Sequence, residues 1–458
     1  MISWNTCFSG ERFGIENSAS IQRSEYERDW DRLIFSSPFR RLQGKTQVFP
    51  LPEEIFVHNR LTHSLEVASV GRSLGAIVGQ GLAGLQTVLA DAEALDFYQN
   101  HLKSVLASAC LAHDLGNPAF GHSGEAAISK YFKDRELDAG FKNRFSASEW
   151  ADLIAYEGNA NALRILTRNF KGRSLDGFRL TYSTLSAILK YPCSSADSLG
   201  KKGPLGRKKY GFFQSDREAF LQVARKTGMV AEAGHEDLYR RHPFVYLVEA
   251  ADDICYNIID FEDAHRLGVL SASEVKNSFL SLLSTSSKTD RYKVEQTLKS
   301  MDGDENEEVA YLRAKCINFL THRCAEIFLQ HSQALLEGTF EGDLIGKIEE
   351  ASEVLKSISK QSVEKIYNHS SVIKIELAGF RIMSGLIGDF VEAALCSAQS
   401  RNKMQEKVLD LVPLQYRFEE SDSDYEKVMS ILDFISGMTD QFALRLYRNL
   451  RGIEMPVR

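Results

Sequence analysis

The segment AHDLGNPAFGHSGEAAI, residues 112–128, carries the strongest structural and chemical signal in the chain. It follows the apolar stretch SVLASACLA, which predicts a helix that ends at the adjacent pair His113 and Asp114. The residues LGNP then predict a loop, because glycine and proline interrupt or end helices. His122 and Glu125 stand three residues apart at the start of a second helical segment, so their side chains can meet on one turn.

Two more segments supply histidine and aspartate side chains. HNRLTHSLEVA places His63 near the start of an amphipathic stretch. In VEAADDICYNIIDFEDA (248–264), Asp252, Tyr256 and Asp260 recur every four residues and share one face of a predicted helix. An acid in such apolar surroundings is costly unless it is paired or bound to a metal. Imidazole and carboxylate ligands suit Mg²⁺, Mn²⁺ or another transition metal. For any one histidine alone, ordinary core packing is the alternative.

The remainder of the chain predicts a mainly α fold. It has nine prolines, none between Pro52 and Pro118 or between Pro243 and Pro413, and proline breaks helix interiors. Patterns of period two are scarce. TQVFP and EEIFVH, within residues 46–58, predict at most a small β-hairpin.

Composition excludes several classes of protein. Among 458 residues, Lys plus Arg is 55 and Asp plus Glu is 62, a net charge of −7 that argues against a protein dedicated to coating nucleic acid. The seven cysteines are scattered without a CxxC motif, which argues against a disulfide scaffold and favours a reducing cytoplasm. No apolar run approaches ~18 residues, so we predict no transmembrane helix. GKT at 44–46 lacks the upstream glycine of a phosphate-binding P-loop.

The H…HD…D pattern resembles that of the HD-domain metal-dependent phosphohydrolases. The segments similar to the deoxyguanosinetriphosphate triphosphohydrolase (dGTPase) family are HNRLTHSLEVA, AHDLGNPAFGHSGEAAI, YEGNAN, LTYSTLSAILKYP, VEAADDICYNIIDFEDA and SGMTDQFALRLYR. The resemblance implies an HD-domain helical fold with additional helices in a large C-terminal region. We expect one large helical unit over residues 1–458, with an HD metal core at about 55–270 and a C-terminal helical region at about 271–458.

The resemblance also implies roles for individual residues. The expected metal ligands are His63, His113, Asp114 and Asp252. We choose Asp252 over its neighbour Asp253 because of the four-residue steps to Tyr256 and Asp260. The expected catalytic pair is His122 and Glu125, and the alternative for Glu125 is a first-turn acid favoured by the helix dipole. The residues expected to bind substrate are Gln47, Arg60, Asn117, Asn159, Lys190, Lys209, Tyr256 and Asp260.

Each of these substrate-binding roles has a physical reason, and several of the residues also have a purely structural alternative. The planar fork of Arg60 suits phosphate oxygens. The ring of Tyr256 under a sugar would leave no room for a 2′-hydroxyl, and Asp260 would accept a hydrogen bond from the 3′-hydroxyl; core packing is the alternative for Tyr256. Asn159 could instead cap a helix. The basic loop 201–209 offers positive charge to an anionic substrate, unless it is simply a solvated loop.

The resemblance therefore implies a metal-dependent dNTP triphosphohydrolase, which hydrolyses dGTP and other dNTPs to deoxynucleoside and inorganic triphosphate. The cofactor would be Mg²⁺ or Mn²⁺, with other transition metals as alternatives. The family also suggests a homo-oligomer, with a hexamer as one candidate, and regulation by a dNTP or single-stranded DNA effector. From the lack of a long apolar run we expect no membrane partner. The alternatives are another HD-type phosphohydrolase, either a nucleotidase or a phosphodiesterase, and a non-catalytic nucleotide- or DNA-binding HD protein.

Overall fold

A computed structural model describes residues 2–15, 23–49, 57–171, 177–198, 209–286, 288–301 and 303–455 of the chain. The structure is 68% helical and has no β-sheet in these ranges, which confirms the mainly α prediction. The helices are α1 (Glu25–Ile34), α2 (Ser37–Arg41), α3 (Arg60–Ala83), α4 (Gln86–Leu89), α5 (Ala92–Asp96), α6 (Leu102–Ala112), α7 (His122–Lys133), α8 (Ala139–Lys142), α9 (Ala147–Ile154), α10 (Gly158–Thr167), α11 (Tyr182–Ile188), α12 (Ser195–Ser198), α13 (Arg217–Lys226), α14 (Pro243–Arg266), α15 (Ala272–Ser284), α16 (Arg291–Ser300), α17 (Glu305–Gln330), α18 (Ser332–Glu337), α19 (Ser352–Gln361), α20 (Ser370–Leu395), α21 (Lys403–Asp410), α22 (Asp424–Ser436) and α23 (Asp440–Leu450).

The expected β-hairpin falls partly on residues 50–56, which lie outside the described residues. The arms that are described meet at an isolated antiparallel bridge between Thr46 and Asn59. The amide of Arg60 donates to the carbonyl of Lys45 at 3.2 Å in the same place. This bridge holds the segment before α3 against the first residue of that helix.

A row of glycines lets α3 approach α6 closely. Gly71, Gly75 and Gly79 are four residues apart and therefore lie on one face of α3. A Cβ atom on any of them would lie 2.2–2.6 Å from an atom of the segment 98–110, so no larger residue fits there. The close approach aligns the two helices, and the start of α3 lies beside the end of α6.

The helix α14 positions the acids of the segment 248–264. It begins with Pro243 at its first position, where the missing amide proton of proline is not needed. The side chain of His242 caps it by accepting from the amide of Phe244 at 3.3 Å. The helix is mostly buried between α3, α11 and α17, so the acids on its face are enclosed by protein.

The C-terminal helices pack on α7 rather than apart from it. Ile387 and Phe390 of α20, Ile431 and Ile435 of α22, and Ile128 of α7 belong to one apolar cluster. α23 then packs against α20. These contacts tie residues beyond 370 to the helix that begins at His122. The division of one helical unit into parts at residues 270 and 271 stays a prediction.

No described helix combines the length and the apolar composition needed to cross a membrane.

Candidate functional site

A cavity of about 460 Å³ is lined by residues of α3, α7, α11, α14 and α20 and of the loop after α6. This volume lies within the usual range for small-molecule sites. The predicted site residues that line the cavity are Gln47, Arg60, His113, Asp114, Asn117, His122, Asn159, Lys190, Lys209, Asp252 and Tyr256. The others, His63, Glu125 and Asp260, are buried behind the lining. Of the basic loop, residues 201–208 lie outside the described residues and Lys209 is described.

The predicted metal ligands form one cluster. Donor atoms of His63, His113 and Asp114 all lie within 4.8 Å of one another. The Oδ1 atom of Asp252 lies 3.1 Å from Nε2 of His63 and 3.5 Å from Nε2 of His113. The structure thus brings together side chains from α3, from the end of α6 and from α14, which are up to 189 residues apart in the chain.

The donor atoms of this cluster fit a divalent metal. Nδ1 of His113 donates to the carbonyl of Cys110 at 2.6 Å, so the lone pair of its neutral ring lies on Nε2. Among the described residues, that Nε2 atom is buried without a hydrogen-bond partner. Although burial opposes it, the carboxylates of Asp114 and Asp252 raise the pKa of His113 to about 9. The cluster therefore favours a positive charge at this point, from a proton or from a metal ion that displaces it.

Asp114 is held from its other side. Nη1 of Arg60 donates to Oδ2 of Asp114 at 2.7 Å, and Nδ2 of Asn117 donates to Oδ1. Although burial opposes it, the charges of Arg60 and His113 keep the pKa of Asp114 below its usual value. The Nε atom of Arg60 is buried and, within the described ranges, has no hydrogen-bond partner. Arg60 therefore orients Asp114, and its side chain also lines the cavity.

His122 and Glu125 share the first turn of α7 but do not hydrogen-bond each other in the described structure. Glu125 instead accepts from the amide of Gly158 at 2.8 Å. Burial, followed by the charge of Glu157, raises the pKa of Glu125 to about 7. Burial, followed by the charges of Lys209 and Arg60, lowers the pKa of His122. The imidazole is therefore neutral near pH 7, and its ring is exposed to the solvent of the cavity.

Glu157 connects two of the predicted substrate-binding residues. Its Oε1 atom accepts from Nδ2 of Asn159 at 2.6 Å and from Nζ of Lys209 at 3.3 Å. It also accepts from the amide of Asn159 at 3.3 Å, so Glu157, rather than Asn159, caps α10. Although burial opposes it, Glu157 raises the pKa of Lys209, which stays protonated. The alternative role predicted for Asn159, capping of this helix, is therefore performed by Glu157.

Lys190 has its own carboxylate partner. Its Nζ atom lies 3.3 Å from Oε1 of Glu249, whose Oε2 atom accepts from Nη2 of Arg241 at 2.6 Å. Although burial opposes it, Glu249 raises the pKa of Lys190. The ammonium group thus lines the cavity in its charged form.

Tyr256 and Asp260 meet a residue that the sequence did not indicate. The ring of Tyr367 stacks on the ring of Tyr256 with centroids 5.5 Å apart, and its hydroxyl donates to Oδ2 of Asp260 at 2.7 Å. Burial raises the pKa of Asp260 to about 8, against the effect of that hydrogen bond. Asp260 is therefore not open to the cavity in this structure, and Tyr367 lines the cavity in its place.

The residues that sequence reasoning missed are Glu157, Glu249 and Tyr367. Glu157 and Glu249 stand in the segments YEGNAN and VEAADD, a few residues before the predicted site residues Asn159 and Asp252. That proximity was the only sequence signal for them. Tyr367 lies in no recognised motif, and nothing in its neighbourhood identified it.

Comparison with known proteins agrees with the geometry. The HD domain matches residues 60–172, which include His63, His113 and Asp114 but not Asp252, and the phosphohydrolase-associated domain matches residues 346–449. Proteins named deoxyguanosinetriphosphate triphosphohydrolase-like protein align with 99% of this chain and 100% of their own lengths. That from Synechocystis sp. is 35% identical, that from Pseudomonas aeruginosa 36%, and that from Listeria monocytogenes 32%. The chain therefore belongs to the family of the deoxyguanosinetriphosphate triphosphohydrolase-like HD-domain proteins.

Proposed function

We propose that this protein is a metal-dependent dNTP triphosphohydrolase, which hydrolyses dGTP, with other dNTPs as further substrates, to deoxynucleoside and inorganic triphosphate. One observation carries the proposal. A single cavity brings a His/Asp cluster suited to a divalent metal together with the cations Arg60, Lys190 and Lys209 and the stacked rings of Tyr256 and Tyr367. The His/Asp cluster and the cations suit a polyphosphate, and the stacked rings suit a nucleoside. The printed names of the relatives support a nucleotide substrate.

The residues His63, His113, Asp114 and Asp252 would hold the metal, Mg²⁺ or Mn²⁺ in our proposal, with other transition metals as alternatives. When bound, such an ion polarises a phosphoryl oxygen and orients the attacking water. Arg60, fixed by its bond to Asp114 and lining the cavity, would donate from its guanidinium group to a phosphate oxygen.

In the reaction, a water oxygen forms a bond to the α-phosphorus and the bond from that phosphorus to the 5′-oxygen breaks. His122, neutral at pH 7, would accept a proton from the water and return it to the leaving 5′-oxygen. Glu125, three residues further along α7, loses its proton as the pH rises through about 7, and its negative charge would then stabilise the imidazolium form of His122. Lys190 and Lys209 would hold the β- and γ-phosphates and thereby keep the α-phosphorus in place while the 5′-oxygen leaves.

At the nucleoside end, Tyr256 and Tyr367 would flank the sugar and restrict the room for a 2′-hydroxyl. Gln47 lines the cavity, and its side-chain amide would contact the base or sugar. Asn117 and Asn159 offer amide groups to the phosphates.

The test is the identity of the phosphate product. The full chain is incubated with each of the four dNTPs, with Mg²⁺ or Mn²⁺, in ¹⁸O-labelled water, and the products are separated by ion chromatography and mass spectrometry. We expect one inorganic triphosphate per deoxynucleoside, with one ¹⁸O in the triphosphate. The control is Asp114→Asn, which should release nothing. Release of monophosphate or pyrophosphate would refute the proposal and would instead indicate a nucleotidase or phosphodiesterase.

Assembly into a homo-oligomer and regulation by a dNTP or single-stranded DNA stay predictions of the resemblance, and a cytoplasmic location stays a prediction from the scattered cysteines.

A further inference from the structure

The motif SGMTDQFALRLYR, residues 436–448, belongs to the C-terminal region, and the catalytic proposal gives it no role. The structure places its Asp440 beside the loops of the cavity. The Oδ2 atom of Asp440 accepts from the amide of Thr46 at 2.9 Å, and its Oδ1 atom accepts from the amide of Phe120 at 2.9 Å. One carboxylate, 5% exposed, thus joins two segments that are 394 and 320 residues away in the chain.

Capping of α23 does not explain this arrangement. Thr439 is the N-cap of α23, and its hydroxyl already accepts from the amide of Phe442 at 3.3 Å. Asp440 is the first residue of the helix, and both of its oxygens point to backbone amides outside it.

The bond to Phe120 acts on a strained turn. Phe120 has φ 60°, an uncommon value for a bulky residue, and Gly121 follows with φ 54°. Such a conformation persists only where the surroundings hold it. The ring of Phe120 packs against Gly379 of α20, where a Cβ atom would lie 2.5 Å from its Cγ. The next residue after this turn is His122, the first residue of α7.

The bond to Thr46 acts on the neighbour of another cavity residue. Thr46 precedes Gln47, and the same corner receives Lys45, whose Nζ donates to the carbonyl of Ser436 at 2.9 Å. Lys45 also donates to the carbonyl of Asn117. The C-terminal corner 436–440 therefore contacts both the segment before α3 and the loop between α6 and α7, and both segments line the cavity.

We propose that Asp440 is a positioning residue of the site: its carboxylate fixes the backbone at Thr46 and Phe120 and thereby sets Gln47 and His122 in the cavity. The phosphohydrolase-associated region thus contributes to the catalytic geometry of the HD domain and does not merely cover it. This inference rests on the proposed function, because turnover is one of its readouts.

The test uses the full-length chain with Asp440→Ala and Asp440→Asn. The matched control is Ser423→Ala, which removes the side-chain cap of α22 in the same region and touches no cavity residue. We expect Asp440→Ala to lower kcat at least ~10-fold, equivalent to about 1.4 kcal/mol, while KM changes less. Asp440→Asn keeps one acceptor and should lie between Asp440→Ala and wild type. It also serves as the test if Asp440→Ala does not fold.

A second arm asks whether Asp440 acts through His122. In a His122→Ala background, Asp440→Ala should lower the residual rate by clearly less than it lowers the wild-type rate, because residues that act as one unit are not additive; what remains is the part that acts through Gln47. In a Lys209→Ala background it should retain its full effect. A full effect in the His122→Ala background, or an Asp440→Ala rate no lower than that of Ser423→Ala, would overturn the inference.

A third arm does not depend on turnover. Hydrogen exchange followed by mass spectrometry should show faster exchange in peptides covering 44–49 and 117–124 for Asp440→Ala and not for Ser423→Ala. Unchanged exchange in both peptides would also overturn the inference. If the wild-type chain releases no triphosphate, the proposed function fails, and this exchange measurement still decides whether Asp440 positions the two loops.

Discussion

Glu125 should make the protein less stable as the pH rises, and replacing it with glutamine should remove that loss. Burial, followed by the charge of Glu157, raises the pKa of Glu125 from its usual 4.5 to about 7. Between these two values the unfolded chain has lost the proton and the folded chain keeps it. The stability that Glu125 contributes is therefore complete below pH 4.5 and is lost as the pH rises through 7.

The magnitude follows from the same values. The difference between 4.5 and about 7, at 1.36 kcal/mol per pKa unit, amounts to about 3 kcal/mol. Glu125→Gln keeps an oxygen that can accept from the amide of Gly158, now 2.8 Å away, but has no proton to lose. We therefore expect the free energy of unfolding of the variant, relative to wild type, to increase by about 3 kcal/mol between pH 4.5 and pH 8.

The assay is urea denaturation, followed by tryptophan fluorescence at pH 5, 6, 7 and 8 with a chelator present. Comparing variant with wild type at each pH cancels the titration of the other buried acids. The control is Glu136→Gln, which makes the same chemical change at an exposed carboxylate after α7 and shows how much a Glu-to-Gln substitution away from the cavity alters stability at each pH. A Glu125→Gln difference that stays constant from pH 5 to pH 8 would refute the reasoning. In parallel, kcat of Glu125→Gln should fall, by about 10²-fold if the carboxylate supports proton transfer by His122.

Three further predictions concern the cavity. Asp114→Asn should lose both Mn²⁺ binding, measured by metal analysis after gel filtration, and turnover; metal retained at the wild-type level would contradict the proposed ligand set. Tyr367→Phe keeps the stacked ring but removes the hydrogen bond to Asp260, whose pKa of about 8 leaves the carboxyl mostly neutral at pH 7, so the loss costs about 0.5–1.5 kcal/mol. We expect a higher KM for dNTPs and reduced thermal stability, and unchanged values would show that the hydroxyl has no role. Gly158→Ala would place a methyl group 2.7 Å from Oε1 of Glu125 and should lower kcat; wild-type kinetics would show that the loop yields freely.

The fold class and most of the site could be predicted because their signals are local. The helices follow from long proline-poor segments with helical periodicity. His113 and Asp114 are adjacent, and Asp252 and Tyr256 are one turn apart on one helix, so their proximity needs no tertiary information. The four-residue spacing of Gly71, Gly75 and Gly79 is also visible in the sequence. Only the structure shows that these glycines allow the close approach of α3 to α6.

The remaining features depend on which distant elements meet. Tyr367 reaches Asp260 across 107 residues, and Asp440 reaches Phe120 across 320. Neither pair has a spacing that marks it, because tertiary contacts carry no fixed sequence separation. His122 and Glu125 illustrate the same limit. Their three-residue spacing predicts that their side chains can meet on one turn, and it does not reveal that the amide of Gly158 donates to the carboxylate of Glu125.

The charge of the site shows why counting charged residues is a poor guide to substrate. The chain is net −7, and each predicted phosphate-binding cation has a carboxylate partner in the described structure: Asp114 for Arg60, Glu249 for Lys190, and Glu157 for Lys209. These pairs do not cancel the function of the cations. A free lysine in a solvated cavity samples many rotamers, and ordering it on binding costs up to ~2 kcal/mol. A carboxylate that already fixes the ammonium group reduces that cost and leaves its remaining protons for phosphate. The acidic balance of the chain is therefore compatible with an anionic substrate, because the acids at this cavity position the cations that would bind it.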